Sequence, residues 1–295
     1  MKISVCTSVF IRDDSKKDEN FRFFKKSIQS ILDQTFTDFE YVILDDCSPV
    51  DIKEFLDTNF NDPRIKYFRN ETNLGIGENR KVIVELTSPE SEYIAFQDHD
   101  DISDSKRLEV LYNYLETHKD IDIVGSHYRF IKEVGKVDKE LKSVVDYELT
   151  DLEIKKKFES HYGMHITTCL GRKHIYKDID VLSINFEDWL LWYQWMDKYK
   201  FANVPDILFN YRRRGSQIIS DHLAYETVRQ LMVPLTVSKL ESMGIDISKT
   251  PYHKRMKLII KMLLDMEDPS SITYKLVNKY KEDLKEFTKT HPFRR

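Results

Sequence analysis

Cysteine is scarce: Cys6, Cys47 and Cys169 are the only three in 295 residues. An odd number, widely spaced and without a Cys-x-x-Cys pair, excludes a disulfide framework and a cysteine metal site, and points to a reducing, cytoplasmic setting. Long apolar runs are missing too, so the sequence predicts no membrane-spanning helix. The apolar opening Met1–Ile11 is short, lacks a small-residue cleavage site and reads as a buried strand, not a leader. Glycine and proline number only 8 each. None of the glycines lies in Ser8–Asn20, which argues against a glycine-rich phosphate loop after the first apolar run. Internal repeats and low-complexity segments are absent. A net charge of −4 withholds the concentrated positive field that nucleic-acid binding requires.

What is present is ordinary globular material, 41% hydrophobic and 33% charged, in a chain long enough to bury a large core. The charge is uneven. Residues 251–295 hold 11 Lys/Arg against 6 Asp/Glu, so a basic tail follows an acidic body.

Strand and helix signals alternate through the first half. Ile3–Val9, Glu40–Leu44, Arg64–Phe68, Glu92–Phe96 and Ile121–Val124 are short apolar or β-branched runs. Between them, Phe23–Leu32, Gly75–Leu86 and Ser105–His118 place apolar residues at helical spacing. The charged stretch Arg12–Asn20 reads as a polar loop. This alternation predicts an α/β fold, a Rossmann-like, mostly parallel sheet flanked by helices. Ligands then bind beyond the carboxyl ends of the strands, where Ser8, Asp45-Asp46 and Asp98-His99-Asp100-Asp101 stand.

Farther along, Ile166–Leu170 and Phe201–Tyr211 read as strands, the second broken by Pro205, and Glu187–Tyr199 as an aromatic-rich helix. Segments 221–243, 250–266 and 271–289 read as helices, with breaks near Gly244 and Pro269. The expected division is an α/β domain over 1–220 and a C-terminal helical extension over 221–295.

Each polar cluster has an ordinary explanation. Carboxylates separated by one residue at a strand end suit Mg²⁺ or Mn²⁺ bridging phosphate oxygens, yet acidic loops and helix caps have the same composition. Ser103 or Asp104 is the better cap for the following helix, leaving Asp98, Asp100 and Asp101 without a local task. Asp45-Asp46-Cys47-Ser48 suits a turn, and Glu187-Asp188 suits a first helical turn.

The order of the pieces changes their weight. Ser4-Val5-Cys6-Thr7-Ser8-Val9-Phe10 is followed by Ser27-Ile28-Gln29-Ser30-Ile31-Leu32-Asp33-Gln34-Thr35-Phe36 and Phe39-Glu40-Tyr41-Val42-Ile43-Leu44-Asp45-Asp46-Cys47-Ser48. Then come Asn73-Leu74-Gly75, Tyr93-Ile94-Ala95-Phe96-Gln97-Asp98-His99-Asp100-Asp101, Phe186-Glu187-Asp188 and Tyr211-Arg212. Over about residues 1–215 this series resembles glycosyltransferase family 2, the inverting family with the GT-A fold.

The resemblance implies a role for each matching position. Ser8 and Phe10 line the nucleotide base, Asp46 accepts a hydrogen bond from it, and Asn79 and Arg80 lie near base or phosphate. Asp98 approaches ribose and metal, while Asp100 binds the metal, Mn²⁺ or Mg²⁺. Asp188 is the expected catalytic base, with Glu187 beside it and Trp189 toward the acceptor; Trp192 and Trp195 read as core. Many relatives carry a histidine shortly after the Tyr-Arg pair, where this chain has Arg214. An arginine cannot ligate a cation but can clamp phosphate, so Arg214 or Arg213 is expected on the diphosphate.

The implied function is transfer of a sugar from a nucleotide-sugar, expected to be UDP-linked, to a glycan or lipid-linked acceptor in surface polysaccharide synthesis. Two readings of the basic helix at 251–266 stay open. It packs on the core with a solvated basic face, the preferred reading, or lies on the inner face of a membrane. A nucleotidyltransferase and a non-catalytic nucleotide-sugar binder are the rivals. His161 and His165 share i, i+4 spacing, but His165 reads as a strand start and no metal role is assigned to them.

Overall fold

The computed structural model describes residues 1–158 and 163–179 and, within 191–214, all but 193, 194 and 197. β1 (Ile3–Val9) and β2 (Phe39–Asp45) are buried along almost their whole length, as expected of parallel strands covered on both faces. They pair in parallel register, Ile3 opposite Phe39 and Val9 opposite Asp45. β3 (Ile65–Arg69) extends the sheet beyond β2, and β4 (Tyr93–Phe96) lies on the other side of β1, both parallel.

The helices of this half follow from amphipathic patterning. α1 (Lys17–Leu32) opens with Asp18 and Glu19 against the helix dipole and buries Phe23, Phe24, Ile28 and Ile31. It begins before the expected Phe23, so Lys17–Asn20 is helix and not loop. α2 (Ile52–Asn59), which the sequence reading passed over, is capped by Asp51, whose carboxylate accepts from the Glu54 N–H at 2.8 Å. α3 (Ile76–Glu85) starts after Gly75, whose φ of 79° suits a residue without Cβ. α4 (Arg107–Thr117) packs Leu108, Leu111 and Leu115 into the core beside Ile3, Val5 and Tyr93.

The second half is mixed. Among the described residues nine strands form one sheet in the order β3-β2-β1-β4-β8-β6-β9-β5, with β7 also paired to β6. β5 is Ile102–Ser103, β8 is Leu170–Arg172 and β9 is Phe201–Arg212. β6 runs from Ile123 to Val134, well past the expected Val124, because it turns back at Gly135-Lys136 into β7 (Val137–Val145). Both turn residues have positive φ, 58° and 69°, the requirement of a two-residue hairpin turn that matches strand twist.

Two other expectations change. Ile166–Thr168 is a turn of 3-10 helix, and the strand begins only at Leu170. β9 is continuous through Pro205, and its parallel pairing with β6 absorbs the proline as register shifts on either side of His127. A short helix α5 (Asp151–Lys157) follows the hairpin. The segments 221–243, 250–266 and 271–289, and with them the boundary at 220, lie outside the described residues.

Candidate active site

The chain leaves β1 for β2 and β3 on one side and crosses to β4 on the other, so β1 and β4 flank a topological switch point. In open sheets of this kind the crevice beyond the carboxyl ends binds ligands. Backbone hydrogen bonds draw the three polar strand ends together: Asp46 N–H to Val9 O at 2.9 Å and Gln97 N–H to Cys6 O at 2.9 Å. Ser8 lies at the end of β1, half-buried, and Phe10 follows it, 38% exposed.

The two aspartates after β2 have different tasks. Asp45 is buried and accepts from Ser48 N–H at 2.8 Å, from the Tyr67 hydroxyl at 3.0 Å and from Arg69. It folds the turn that carries Cys47 at a φ of 61°. Asp46 holds the loop before α3: Oδ1 accepts from Leu74 N–H at 2.8 Å and Oδ2 from Gly75 N–H at 2.9 Å. Asn70 Nδ2 links Asp46 Oδ1, at 2.9 Å, to Asn79 Oδ1, at 2.7 Å. Arg80, on the buried side of α3, lies 5.1 Å from the Phe96 ring centre at the end of β4. Asp46, Asn79 and Arg80 therefore share one corner of the crevice.

The loop 97–101 is fixed from below. Gln97 donates to Ser27 Oγ at 3.1 Å and to Asp101 O at 2.9 Å, and accepts from Ser103 at 2.7 Å and Arg107 at 3.2 Å. Arg107 is fully buried, donates also to Phe96 O and Cys169 O, and burial lowers its pKa to about 10. Neither residue was singled out in the sequence, since a Gln just after a strand and an Arg at the start of a helix carry no signal of their own.

At the end of β9 come three consecutive arginines, Arg212 its last residue and Arg213 and Arg214 just beyond it, and their side chains take different partners. Arg212, 1% exposed, donates its backbone N–H to Asp101 Oδ1 at 2.7 Å and its Nε to Asp100 O at 2.6 Å. Its guanidinium pairs with Asp138 on β7. Arg214 Nε lies 2.7 Å from Asp100 Oδ2, an ion pair by distance without hydrogen-bond alignment, and its Nη1 donates to Asn20 Oδ1 at 2.7 Å. Arg213 points elsewhere, exposed and 3.9 Å from the Phe130 ring centre. Of the two arginines expected on the diphosphate, only Arg214 reaches the acid loop.

The loop's electrostatics reflect crowding. Burial, and then the charges of Asp100 and Asp98, hold the Asp101 carboxyl well above the usual carboxylate range. Its Oδ2 is buried without a hydrogen-bond partner. Burial lowers the pKa of His99, whose ring packs edge-on against Phe24. Among the described residues no three His, Cys, Asp or Glu side chains gather as a self-standing metal cage. Asp98 and Asp100, half-buried on one loop, fit a hard cation that takes one or two carboxylates and completes its shell with substrate phosphates.

The family model described as Glycosyl transferase family 2 matches residues 17–180. The chain belongs to this family. As a family 2 glycosyltransferase sequence it is 33% identical over 195 residues to an uncharacterized glycosyltransferase, MJ1057, of Methanocaldococcus jannaschii, covering 65% of this chain and 66% of that protein. It is 30% identical over 207 residues to the O-antigen biosynthesis glycosyltransferase WbnJ of Escherichia coli, covering 68% and 78%. It is 38% identical over 129 residues to the bifunctional glycosyltransferase pgtA of Dictyostelium discoideum, but spans only 17% of that longer protein. Solved structures of S. aureus TarS 1–349 share its fold: the complex with UDP-GlcNAc superposes with a TM-score of 0.60 at 15% identity, covering 100% of this chain and 93% of that 1–349 chain. The family 2 chain thus has the GT-A fold.

Glu187, Asp188 and Trp189 lie outside the described residues, as does His161. Trp192 and Trp195 are buried side by side, 5.7 Å between ring centres, in keeping with a core role. His165 lies ahead of the 3-10 turn with Nδ1 2.7 Å from Thr167 Oγ1. No helix among the described residues is long and apolar enough to cross a membrane.

Proposed function

We propose that this protein is an inverting glycosyltransferase that moves a sugar from a nucleotide-sugar, a UDP-sugar in the first instance, to a carbohydrate or lipid-linked acceptor in surface polysaccharide synthesis. The observation that carries the proposal is the opposition of Asp100 and Arg214, 2.7 Å apart, beyond the carboxyl end of β4. A carboxylate for a cation and a guanidinium for phosphate stand where the family's donor diphosphate is expected. Sequence kinship to the O-antigen enzyme of E. coli supports the polysaccharide setting, and the TarS complex with UDP-GlcNAc supports the donor class.

Ser8 and Phe10 would border the base, the exposed ring offering its face for stacking. Asp46 stabilises the Asn70–Gly75 wall of the same corner through three accepted hydrogen bonds, and its Oδ2 retains one lone pair for a base N–H. Asp100, with Asp98, would hold Mn²⁺ or Mg²⁺, which when bound supplies positive charge at the diphosphate. Arg214 would add the planar fork of a guanidinium to the same oxygens.

In the reaction proposed, the acceptor hydroxyl oxygen attacks the anomeric carbon from the face opposite the leaving group. The bond to the diphosphate oxygen breaks and the nucleoside diphosphate departs with the electron pair. The hydroxyl proton passes to the Asp188 carboxylate, with Glu187 beside it. Thermal-shift titration with a panel of nucleotide-sugars, with and without Mn²⁺ or Mg²⁺, tests the reading. A metal-dependent rise in melting temperature with UDP-sugars is expected, and no response to any nucleotide-sugar would sink it.

A further inference from the structure

A group of aromatic side chains lies next to the acid loop and has no part in the donor site described above. Tyr128 and Phe130 alternate on β6 and so share one face, and Phe130 is opposite Tyr211 in the parallel β6–β9 pairing. Tyr211 is the hub. Its ring centre is 6.0 Å from Tyr128, 5.8 Å from Phe130 and 5.5 Å from His165. These four rings are half-buried, whereas Phe209, two residues earlier on β9, is fully buried. The exposed Arg213 guanidinium caps Phe130, adding a cation at the rim.

The cluster adjoins the chemistry through the backbone. Tyr211 immediately precedes Arg212, whose N–H is bonded to Asp101 Oδ1 at 2.7 Å. Four partly exposed rings gathered beside the acid loop are poorly explained as core, because Phe201 and Phe209 on the same strand are fully buried. Ligand sites, by contrast, combine aromatic walls with a few placed polar groups.

We infer that Tyr128, Phe130 and Tyr211 form the acceptor subsite, a wall on which the apolar C–H face of a pyranose ring lies while Arg213 and His165 border its hydroxyls. The inference rests on the glycosyltransferase reading and names the substrate class of that site: a pyranose-containing acceptor, bound through its sugar.

The full chain with Mn²⁺ and UDP is examined by saturation-transfer difference NMR with methyl glycosides of glucose, galactose and N-acetylglucosamine as probes. At least one pyranoside is expected to receive saturation at its ring C–H protons. Phe130→Leu and Tyr128→Leu keep apolar volume but remove the ring, and each is expected to weaken that pyranoside about five- to ten-fold. UDP titration and melting curves on the same samples report folding and the donor site. Unchanged pyranoside binding in both leucine variants would overturn the inference, as would no pyranoside signal from a wild-type protein that binds UDP. A wild-type protein that binds no UDP or UDP-sugar would instead overturn the glycosyltransferase reading.

Discussion

Arg214 Nε lies 2.7 Å from Asp100 Oδ2, joining the residue proposed for the donor's diphosphate to the residue proposed for its cation. The pair is shaped from three sides. Asn20 accepts from Arg214 Nη1 at 2.7 Å, the Phe23 ring lies 4.7 Å from its guanidinium carbon, and Arg212 holds Asp100 O at 2.6 Å. An arginine in this place can exchange one anionic partner for another, from carboxylate to phosphate, without moving its backbone.

Arg214→Ala is therefore expected to weaken donor binding and lower turnover by about ten-fold or more, the loss of one charge-assisted contact to phosphate. Arg213→Ala, whose side chain stacks on Phe130, should leave donor affinity close to wild type. Isothermal titration with UDP-sugar separates the two. Wild-type donor affinity and turnover in Arg214→Ala would refute the phosphate role.

Asp100→Ala is expected to abolish the metal-dependent part of donor binding, while Asp188→Asn should lose turnover and keep donor binding. The contrast follows from their proposed roles, a ground-state ligand for the cation against a base that acts only as the acceptor proton leaves. Titrations with and without Mn²⁺, together with single-turnover assays, read both. An Asp100→Ala enzyme of full activity would dismiss the metal assignment.

Asp138→Asn tests the buried link beneath the acid loop. Burial disfavours the charged form of Asp138, but Arg212 and Lys26 outweigh it and hold its pKa below the usual range. Arg212 is 1% exposed, so removing its charge partner leaves a buried guanidinium uncompensated, at a cost of about 3 kcal/mol. Urea unfolding measures it. Asp120→Asn, which breaks only the exposed pair with Lys200, should produce no measurable change.

Glu40 provides a pH test remote from the site. It is buried between Ser4 Oγ at 2.5 Å, Ser88 N–H at 2.6 Å and Lys66. Burial opposes its charge, yet Lys66, Ser4 and Ser88 prevail and lower its pKa below the ordinary 4.5. A lowered folded pKa means stability that is present above the unfolded value and lost as pH falls through the folded one. The stability gap between wild type and Glu40→Gln should be widest above pH 4.5 and shrink as the pH drops below it. Urea melts of both proteins across that range give the gap directly; a gap independent of pH would contradict the assignment.

Much of the parallel half is legible in the sequence. Ile3–Val9, the Glu40–Leu44 run and Glu92–Phe96 are continuous apolar strands because they are covered on both faces, and such runs declare themselves. The hairpin Ile123–Val145 was less so. Most of β7 is exposed, so Val137–Val145 carries little hydrophobic pattern and the hairpin went unread. Pro205 suggested a break in β9 that the register shift against β6 absorbs. Ile166–Thr168 had strand-like composition, but its backbone is bonded as a tight turn, Thr168 N–H to His165 O at 2.9 Å.

The sequence by itself determined which residue types stand at the strand ends, because the order Asp46, Asp98, Asp100, Tyr211-Arg212 is written in the chain and strand ends in such a fold share one edge. Only the tertiary structure decided how those residues divide the work. Asp45 closes its own turn while Asp46 fastens the Leu74-Gly75 loop, and Arg212 anchors Asp138 while Arg214 meets Asp100. Partners such as Asn20 and Asp138 lie far away in sequence. Their selection depends on which side of β9 each arginine faces and on which helix and hairpin the sheet brings against that side, and no local pattern records either.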